Sequence, residues 1–356
     1  MTRVTRLCAA VGAIAAMLTV SEVRAQTITT TSPLPDATEA TAYSLQFAAS
    51  GGSGGYQWAA RCCPPCGFPG CPPTTGLPPG LSLSQTGLLE GTPTASGYFG
   101  FWVWASDSTG AGTVELFVLH VRPSVAYAFS TWVPVASHTP GLNGSAWRTD
   151  VGILNPATSA AAVEVDFYGG DTGIVNTTTS VPASAQIMLA DVVGQIGASG
   201  SGAIEVLSDQ PIKVTSRTYS RIPSDASCLP NGTEGMDYPA VTADGGLLAG
   251  QSAFLGGLGE NASYRCNIGL VNTGSDAATV LVELYDATGT ELAQYGAWLV
   301  PGEWEQKTQP FLNQAGQTAM DRGYAKITVQ SGSGVFGFAS VIDNITNDPT
   351  KVSMQR

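Results

Sequence analysis

The chain contains Trp147-Arg148-Thr149-Asp150-Val151-Gly152-Ile153-Leu154-Asn155, and a similar stretch, Tyr264-Arg265-Cys266-Asn267-Ile268-Gly269-Leu270-Val271-Asn272, follows 117 residues later. The correspondence continues without a gap, because residues 160–168 align with residues 277–285. A repeat of domain length indicates one structural unit used twice. We therefore expect two copies of one module in the second half of the chain, which favours binding or scaffolding over catalysis.

Further matches extend the two copies toward the C-terminus. Val181-Pro182 aligns with Val300-Pro301, residues 191–195 align with residues 310–314, and residues 204–206 align with residues 327–329. The offset changes only where loops are expected. Each copy is predicted to run strand, turn, strand, a short linker that could be helical, strand, hairpin, strand.

The composition is typical of an all-β exported protein. The chain has 43 Gly and 22 Pro, and only 12% of its residues are charged. Short alternating apolar segments are bounded by Gly, Asn and Asp, as expected of β-sandwiches. The length fits several domains of about 100 residues, each with its own core. The predicted fold is therefore three tandem β-sandwich modules, at residues 26–123, 124–224 and 252–356.

The first 25 residues are predicted to be a cleaved signal peptide. Arg3 and Arg6 precede an apolar run at residues 7–20, and Val23-Arg24-Ala25 offers a small-residue cleavage site. That run is shorter than the roughly 20 residues of a bilayer span. We expect a secreted or extracellular protein, with the periplasm or the cell surface as further destinations, and no transmembrane segment in the mature chain.

The charge of the mature chain excludes two classes of partner. Cleavage removes three Arg and one Glu, which moves the formal charge from −12 to −14, and only four Lys remain. Nucleic acids and anionic membranes are bound by clustered positive charge. We therefore expect neither, and a protein or glycan partner at the cell surface fits better.

The first module carries an ordered series of turn and strand motifs. They are Gly76-Leu77-Pro78-Pro79-Gly80-Leu81-Ser82-Leu83, Thr86-Gly87-Leu88-Leu89-Glu90-Gly91-Thr92-Pro93, Gly97, and Val103-Trp104-Ala105-Ser106-Asp107-Ser108-Thr109-Gly110. With these motifs the module resembles the immunoglobulin-like and cadherin-like domains of bacterial secreted and surface proteins. The resemblance covers about a quarter of the chain and implies an immunoglobulin-like sandwich, which identifies a fold better than a function.

The same resemblance implies which side chains of residues 98–105 face outward. Phe99, Phe101, Val103 and Ala105 would face the core, whereas Tyr98, Gly100, Trp102 and Trp104 would face away from it. Tyr98, Trp102 and Trp104 would then form an aromatic patch for stacking sugars or docking a protein. The alternative is that the neighbouring insertion or the next module covers them.

Two groups of cysteines are candidates for disulfides in an exported protein. Cys62, Cys63, Cys66 and Cys71 lie in an insertion at residues 61–73, with pairings 62–66 and 63–71, or 62–71 and 63–66; zinc binding is the alternative. Cys228 and Cys266 would form a further pair. That pair would tether a connector, residues 225–251, to the first strand of the second repeat.

The sequence shows no catalytic constellation. The two histidines differ in setting: His120 ends a β segment, and His138 is predicted to lie in a Pro- and Gly-rich loop. Neither has a nucleophile at a spacing that identifies a triad. We therefore expect a protein that is not an enzyme, and an accessory protein of a hydrolase is the alternative.

Residues 343–348 could hold calcium. Asp343, Asn344 and Asp348 offer the oxygen ligands that calcium prefers. Asp and Asn also form turns, so a plain turn is the alternative. We expect no resident cofactor unless calcium binds here, as in a calcium-binding cadherin-like protein. The sequence as a whole predicts a non-catalytic exported binding or structural protein, with adhesion or carbohydrate binding as specific forms.

Overall fold

The computed structural model describes residues 26–61, 76–169, 174–221 and 232–356. The described chain is almost entirely β-structure, and its strands form several sheets in which nearly all neighbouring strands are antiparallel. The prediction of an all-β protein with several β-sandwich modules is therefore confirmed. The predicted signal peptide lies outside the described residues. Among the described residues, no helix has the length and hydropathy that crossing a membrane requires.

The first module is a sandwich of short strands. Its strands are β1 (Thr27–Ile28), β2 (Ala37–Thr38), β3 (Tyr43–Gln46), β4 (Ala49–Ser50), β5 (Gln57–Arg61), β6 (Leu81–Leu83), β7 (Leu88–Gly91), β8 (Gly97–Ser106) and β9 (Gly112–Arg122). One sheet has the order β2-β9-β8-β5, the other has the order β3-β7-β6, and β1 pairs with β4. Along β8 the predicted inward side chains are all buried, which confirms the alternation: Phe99, Phe101, Val103 and Ala105.

The first repeat forms two four-stranded layers. Its elements are β10 (Phe129–Pro140), β11 (Ala146–Asn155), β12 (Ala161–Gly169), β13 (Ile174–Val181), β14 (Ala185–Leu189), α1 (Val192–Gln195), β15 (Gly200–Ser208), β16 (Lys213–Arg221) and β17 (Thr233–Met236). The layers are β10-β15-β12-β13 and β17-β16-β11-β14. They are joined because the end of β10, after a bulge, also pairs with β11.

The second repeat has the same order of elements. They are β18 (Leu247–Leu248), β19 (Ser252–Glu260), β20 (Tyr264–Asn272), β21 (Ala278–Tyr285), β22 (Glu291–Leu299), β23 (Trp304–Thr308), α2 (Pro310–Asn313), β24 (Met320–Ser331), β25 (Ser333–Asp343) and β26 (Pro349–Ser353). The layers are β19-β24-β21-β22 and β26-β25-β20-β23. The segment predicted as a connector supplies β17 to one repeat and β18 to the other.

One part of the sequence alignment between the repeats needs correction. Strand pairing places Asp166 opposite Glu205 in the first repeat and Glu283 opposite Lys326 in the second. Glu205 therefore corresponds to Lys326 and not to Thr328, a difference of two residues. Because side chains alternate with a period of two, this difference leaves every side chain on the face that was expected.

The three modules meet at the outer face of β12 and β15. A methyl group at Gly97 would lie 3.1 Å from Cδ1 of Ile174, and one at Gly302 would lie 2.2 Å from Cδ1 of Tyr168. Tyr168 is therefore enclosed between the first module and a turn of the second repeat. Gly100, expected to face outward, is buried because Val300 packs against it.

Candidate functional site

A cavity of about 440 Å³ lies where the first module meets the first repeat, and its volume is typical of a ligand site. β8 and β9 form one wall, the segment that follows β9 forms a second, and the outer face of β12 and β15 forms the third. Its chemically notable lining residues are Tyr98, His120, Arg122, Tyr127, Asp166, Tyr168 and Glu205. We call this space the junction cavity.

Aromatic rings line much of the junction cavity. The Tyr98 ring stacks on His120, with 4.2 Å between ring centroids and 13° between planes. Pairing of β8 with β9 places these two residues opposite each other. Burial, followed by the negative charge of Glu205, raises the pKa of Tyr98 to about 12. Tyr98 is therefore a neutral phenol at physiological pH.

Three carboxyl groups lie side by side on β12 and β15. Glu205 accepts hydrogen bonds from the hydroxyls of Ser130, at 2.6 Å, and Tyr168, at 2.9 Å. Glu164 accepts from the Ser96 hydroxyl and from the amide of Asn176. Asp166 is fully buried, and among the described residues its carboxyl group has no hydrogen-bond partner except the neighbouring carboxyl group of Glu164.

The environment favours the protonated form of these carboxyl groups. Burial is the main cause that raises the pKa of Glu164, Asp166 and Glu205. For Asp166, the charges of Glu164 and then Glu205 raise the pKa further. A protonated carboxyl or a bound positive group would each relieve this repulsion.

The positive groups at the junction cavity are engaged elsewhere. Arg122 donates from Nε to Oδ2 of Asp36 at 2.7 Å. His120 lies 3.7 Å from Asp36, and burial lowers its pKa. Within the described part of the chain, no Lys, Arg or His forms an ion pair with Glu164, Asp166 or Glu205.

The histidines do not form a catalytic triad in the described chain. His138 lies in β10, not in a loop as the sequence suggested, because its Pro and Gly neighbours fall at the end of that strand. Its Nδ1 lies 2.8 Å from Asp191, which also contacts Arg148. No serine hydroxyl or cysteine thiol of the described residues hydrogen-bonds either histidine.

The predicted aromatic patch divides between two environments. Tyr98 lines the junction cavity, whereas Trp102 and Trp104 lie further along β8 and are half-buried instead of exposed. Trp104 packs across Gly112, where a methyl group would lie 2.6 Å from its ring. Trp102 pairs with Arg61, next to the cysteine insertion, and that insertion lies outside the described residues.

The candidate calcium residues surround a guanidinium group. Arg265 donates to the carbonyl of Asp343, to Oδ1 of Asn344 and to Oδ1 of Asn347. The Asp343 carboxylate accepts from the backbone of Ile345 and Thr346, as in a turn. No group of three or more His, Cys, Asp or Glu in the described ranges is placed to hold a metal. The geometry favours the turn, and calcium binding remains a hypothesis.

Cys266 is fully buried in the core of the second repeat and forms no disulfide with a described residue. Its Sγ lies 3.3 Å from Oε2 of Glu260. Burial, then the Glu260 charge, raises the pKa of Cys266. The predicted partner Cys228 and the four cysteines of the insertion, Cys62, Cys63, Cys66 and Cys71, lie outside the described residues. These disulfides therefore remain predictions.

Tyr98 was predicted from the sequence as a site residue, whereas Glu164, Asp166 and Glu205 were not. Glu164 and Asp166 alternate with Val163, Val165 and Phe167, a pattern that is typical of a strand with one face in water. The structure places a second module on that face. The one available signal was the pair of acidic residues at alternate positions of a strand that is otherwise apolar.

Comparison with solved structures gave matches of low sequence identity and low TM-score. Comparison with curated proteins gave no match. A solved structure titled as carbohydrate-binding modules of the β-sandwich superfamily is 12% identical, covers 94% of this chain and 100% of its own, and has a TM-score of 0.21. SGBP-B from Bacteroides ovatus, in complex with a mixed-linkage heptasaccharide, is 9% identical over 85% of this chain and 99% of its own, with a TM-score of 0.18.

The likeness to a Bacteroides fragilis chain described as "putative alpha-galactosidase" is confined to a short region. It is 23% identical, covers 27% of this chain and 17% of that chain, and has a TM-score of 0.19. A family model described as "Putative Ig domain" matches residues 25–122. The first module, as its motifs predicted, is therefore an immunoglobulin-like domain of that family.

Proposed function

We propose that this protein is a non-catalytic, exported binding protein that holds a carbohydrate in the junction cavity. The observation that carries the proposal is the arrangement of aromatic rings opposite buried carboxyl groups in one cavity. Sugar hydroxyls can donate to Glu205 and Asp166, while the apolar face of a sugar ring can pack on Tyr98 or Tyr127.

The location of the junction cavity supports a binding role. Ligand sites are common where domains meet, because such sites are concave and draw polar groups from several elements. Here Tyr98 comes from the first module, whereas Asp166 and Glu205 come from the first repeat. The acidic net charge and the predicted signal peptide are consistent with a function outside the cell.

A glycan array with matched variants tests this proposal. Tyr98→Ala and Glu205→Gln should each lower binding at least tenfold, since the first variant loses an aromatic ring and the second loses one of two acceptor oxygens. Trp104→Ala is the control outside the junction cavity and should bind as the wild type does. Loss of binding in Trp104→Ala alone, or no binding by the wild-type protein, would contradict the proposal.

A second candidate is self-association at the cell surface, as adhesion requires. Phe254, Tyr285 and Tyr324 lie on the outer face of β19, β21 and β24, where strand pairing matches them to Trp132, Tyr168 and Ala203 of the first repeat. Those counterparts are buried, whereas Phe254 is 44% exposed.

The chemistry of this second face suits another copy of the same face. Tyr285 stacks on Tyr324 at 4.8 Å, and Lys326 donates to Glu283 at 2.8 Å. Adjacent charges of both signs make the face complementary to itself across a two-fold axis. Sedimentation velocity should show dimers that Phe254→Ser abolishes and that Ile345→Ser, a remote exposed control, leaves intact. Monomers at every concentration would rule this candidate out.

A further inference from the structure

We infer that the ligand of the junction cavity carries a protonated amine, and that Asp166 receives it together with Glu205. This inference rests on the proposed function and narrows its ligand class to amino sugars. It starts from one observation: a fully buried carboxyl group lines the junction cavity and has, among the described residues, no hydrogen-bond partner except the neighbouring Glu164 carboxyl.

Buried polar groups in folded proteins almost always have partners. Leaving a buried carboxylate without one is costly, so such a group either keeps its proton or pairs with a cation. Glu205 has two hydroxyl donors, and Glu164 has the Ser96 hydroxyl and the Asn176 amide. Asp166 is the member of this cluster without a hydroxyl or amide donor among the described residues, and it shares a proton with Glu164 alone.

The groups that face Asp166 leave its charge unbalanced. Glu164 lies on the same strand, Glu205 lies on β15, and Glu39 of the first module contributes further negative charge. The Tyr127 hydroxyl lies within reach of Glu164. Across the junction cavity, Arg122 is held by Asp36, and His120 has its pKa lowered by burial. One positive charge on a ligand would therefore reduce the electrostatic repulsion among the carboxyl groups on this side of the cavity.

An amine fits this arrangement better than a metal ion does. The described carboxyl groups are not placed to share one metal, since metals need three or more ligands at short range. An ammonium group instead spreads three N–H donors toward separate acceptors. The rings of Tyr98, Tyr127 and Tyr168 line the same space and would attract a cation through their faces.

Amine binding should release protons. Burial and mutual repulsion raise the pKa of Asp166 and Glu164, which favours the protonated carboxyl groups in the empty cavity. A bound ammonium group stabilises the ionised carboxylate and drives the proton into solution. Affinity for an amine should therefore rise with pH across the range where the carboxyl groups ionise, whereas affinity for a neutral sugar should not.

Isothermal titration calorimetry with two matched probes tests the inference. Chitosan hexamer carries free amines, and chitin hexamer carries the same sugars in acetylated form. We expect the chitosan hexamer to bind at least tenfold more tightly at pH 6.5. The apparent enthalpy should differ between phosphate and Tris buffers by an amount that shows net proton release.

Variants separate a specific contact from general attraction to an acidic protein. Asp166→Asn should reduce chitosan affinity at least tenfold and chitin affinity by a much smaller factor, because the amide keeps one oxygen acceptor for a sugar hydroxyl. Its melting temperature should stay level or rise, because a neutral amide replaces a buried carboxyl that lies beside other carboxyl groups, and this shows that the variant folds. Asp237→Asn, whose side chain is 72% exposed, is the control and should bind as the wild type does.

The outcomes distinguish the inference from the proposed function. Equal binding of both hexamers would overturn the inference and keep the carbohydrate site. Chitosan binding without proton release, or binding that Asp166→Asn leaves unchanged, would also overturn the inference. Binding of neither these hexamers nor any glycan on the array would overturn both.

Discussion

Asn155 and Asn272 end the duplicated stretch, and their side chains form equivalent hydrogen bonds in the two repeats. Each side-chain amide donates to two or more backbone carbonyls, and each Oδ1 accepts from the amide two residues onward. Both are fully buried. Each asparagine therefore links the end of its own strand, through hydrogen bonds, to the following turn and to the end of a strand in the opposite layer.

Replacing Asn272 by Ala should destabilise the protein by about 3 kcal/mol, because it leaves buried carbonyls without donors. Urea unfolding followed by tryptophan fluorescence measures the change. Asn313→Ala is the matched control, because Asn313 is exposed and its amide makes one bond to Thr308. A loss in Asn272→Ala no larger than in the control would show that the shared asparagine is not structural.

Gly152 and Gly269 occupy the same position in the two repeats, but different neighbouring side chains limit the space there. A methyl group at Gly269 would lie 2.1 Å from the Phe338 ring, whereas one at Gly152 would lie 2.8 Å from the Thr215 hydroxyl. The threonine can rotate away, but the ring is buried. Gly269→Ala should therefore cost about 2 to 3 kcal/mol by overpacking, and Gly152→Ala should cost less than 1 kcal/mol. Equal losses in thermal unfolding would contradict this.

At the scale of elements, the turn between β22 and β23 carries a titratable group. Glu303 accepts from the amide of Val300 at 2.8 Å. Burial is the main cause that raises the pKa of Glu303 to about 7. A carboxyl whose pKa is raised on folding binds a proton more tightly in the folded state than in the unfolded state.

Stability should therefore fall as pH rises from about 4.5 to about 7, and level off above that range. The Glu303 share should be about 1 to 2 kcal/mol, since the side chain is only partly buried. Glu164, Asp166 and Glu205 act in the same direction, and His120 opposes them below pH 6.5. Glu303→Gln should flatten the pH profile of unfolding by that share, and an unchanged profile would refute the assignment.

Many of the strands could be predicted from the sequence, because apolar residues at alternate positions mark the side chains that face the core. The inward set of β8 followed from the family resemblance, and the duplication predicted β11, β12, α1, β15 and β16 with their counterparts. The stretch predicted as a linker between β12 and β15 also contains β13 and β14, which were not predicted. The carboxyl face of β12 could not be predicted, since Glu164 and Asp166 have the same pattern whether water or another module covers them. Module packing depends on contacts such as Gly97 with Ile174, which no local pattern encodes.

At the scale of the molecule, Tyr168 couples all three modules. It is almost fully buried, contacts Gly97 of the first module and Gly302 of the second repeat, and stacks near Trp132 at 5.0 Å. One hydrophobic cluster extends from the first module through Trp132 and Tyr168 to Phe336. We therefore expect the modules to unfold together.

Gly302→Ala should uncouple the second repeat, because a methyl group there would collide with the Tyr168 ring. Differential scanning calorimetry should show one transition for the wild type and two for the variant. Gly289→Ala is the matched control: its φ is also positive, +86° against +77°, but its nearest neighbour would be 3.8 Å away. Two transitions in the control, or one in Gly302→Ala, would contradict the coupling.

The central claim is that the junction cavity is the binding site, and a crystal structure with a bound oligosaccharide tests it most directly. The probe is the oligosaccharide that titrates most tightly. The account predicts a sugar ring between Tyr98 and Glu205, with a polar atom about 3 Å from the Asp166 carboxyl group. An oligosaccharide bound on Trp102 and Trp104, or on the second repeat, with the cavity empty of sugar, would contradict it.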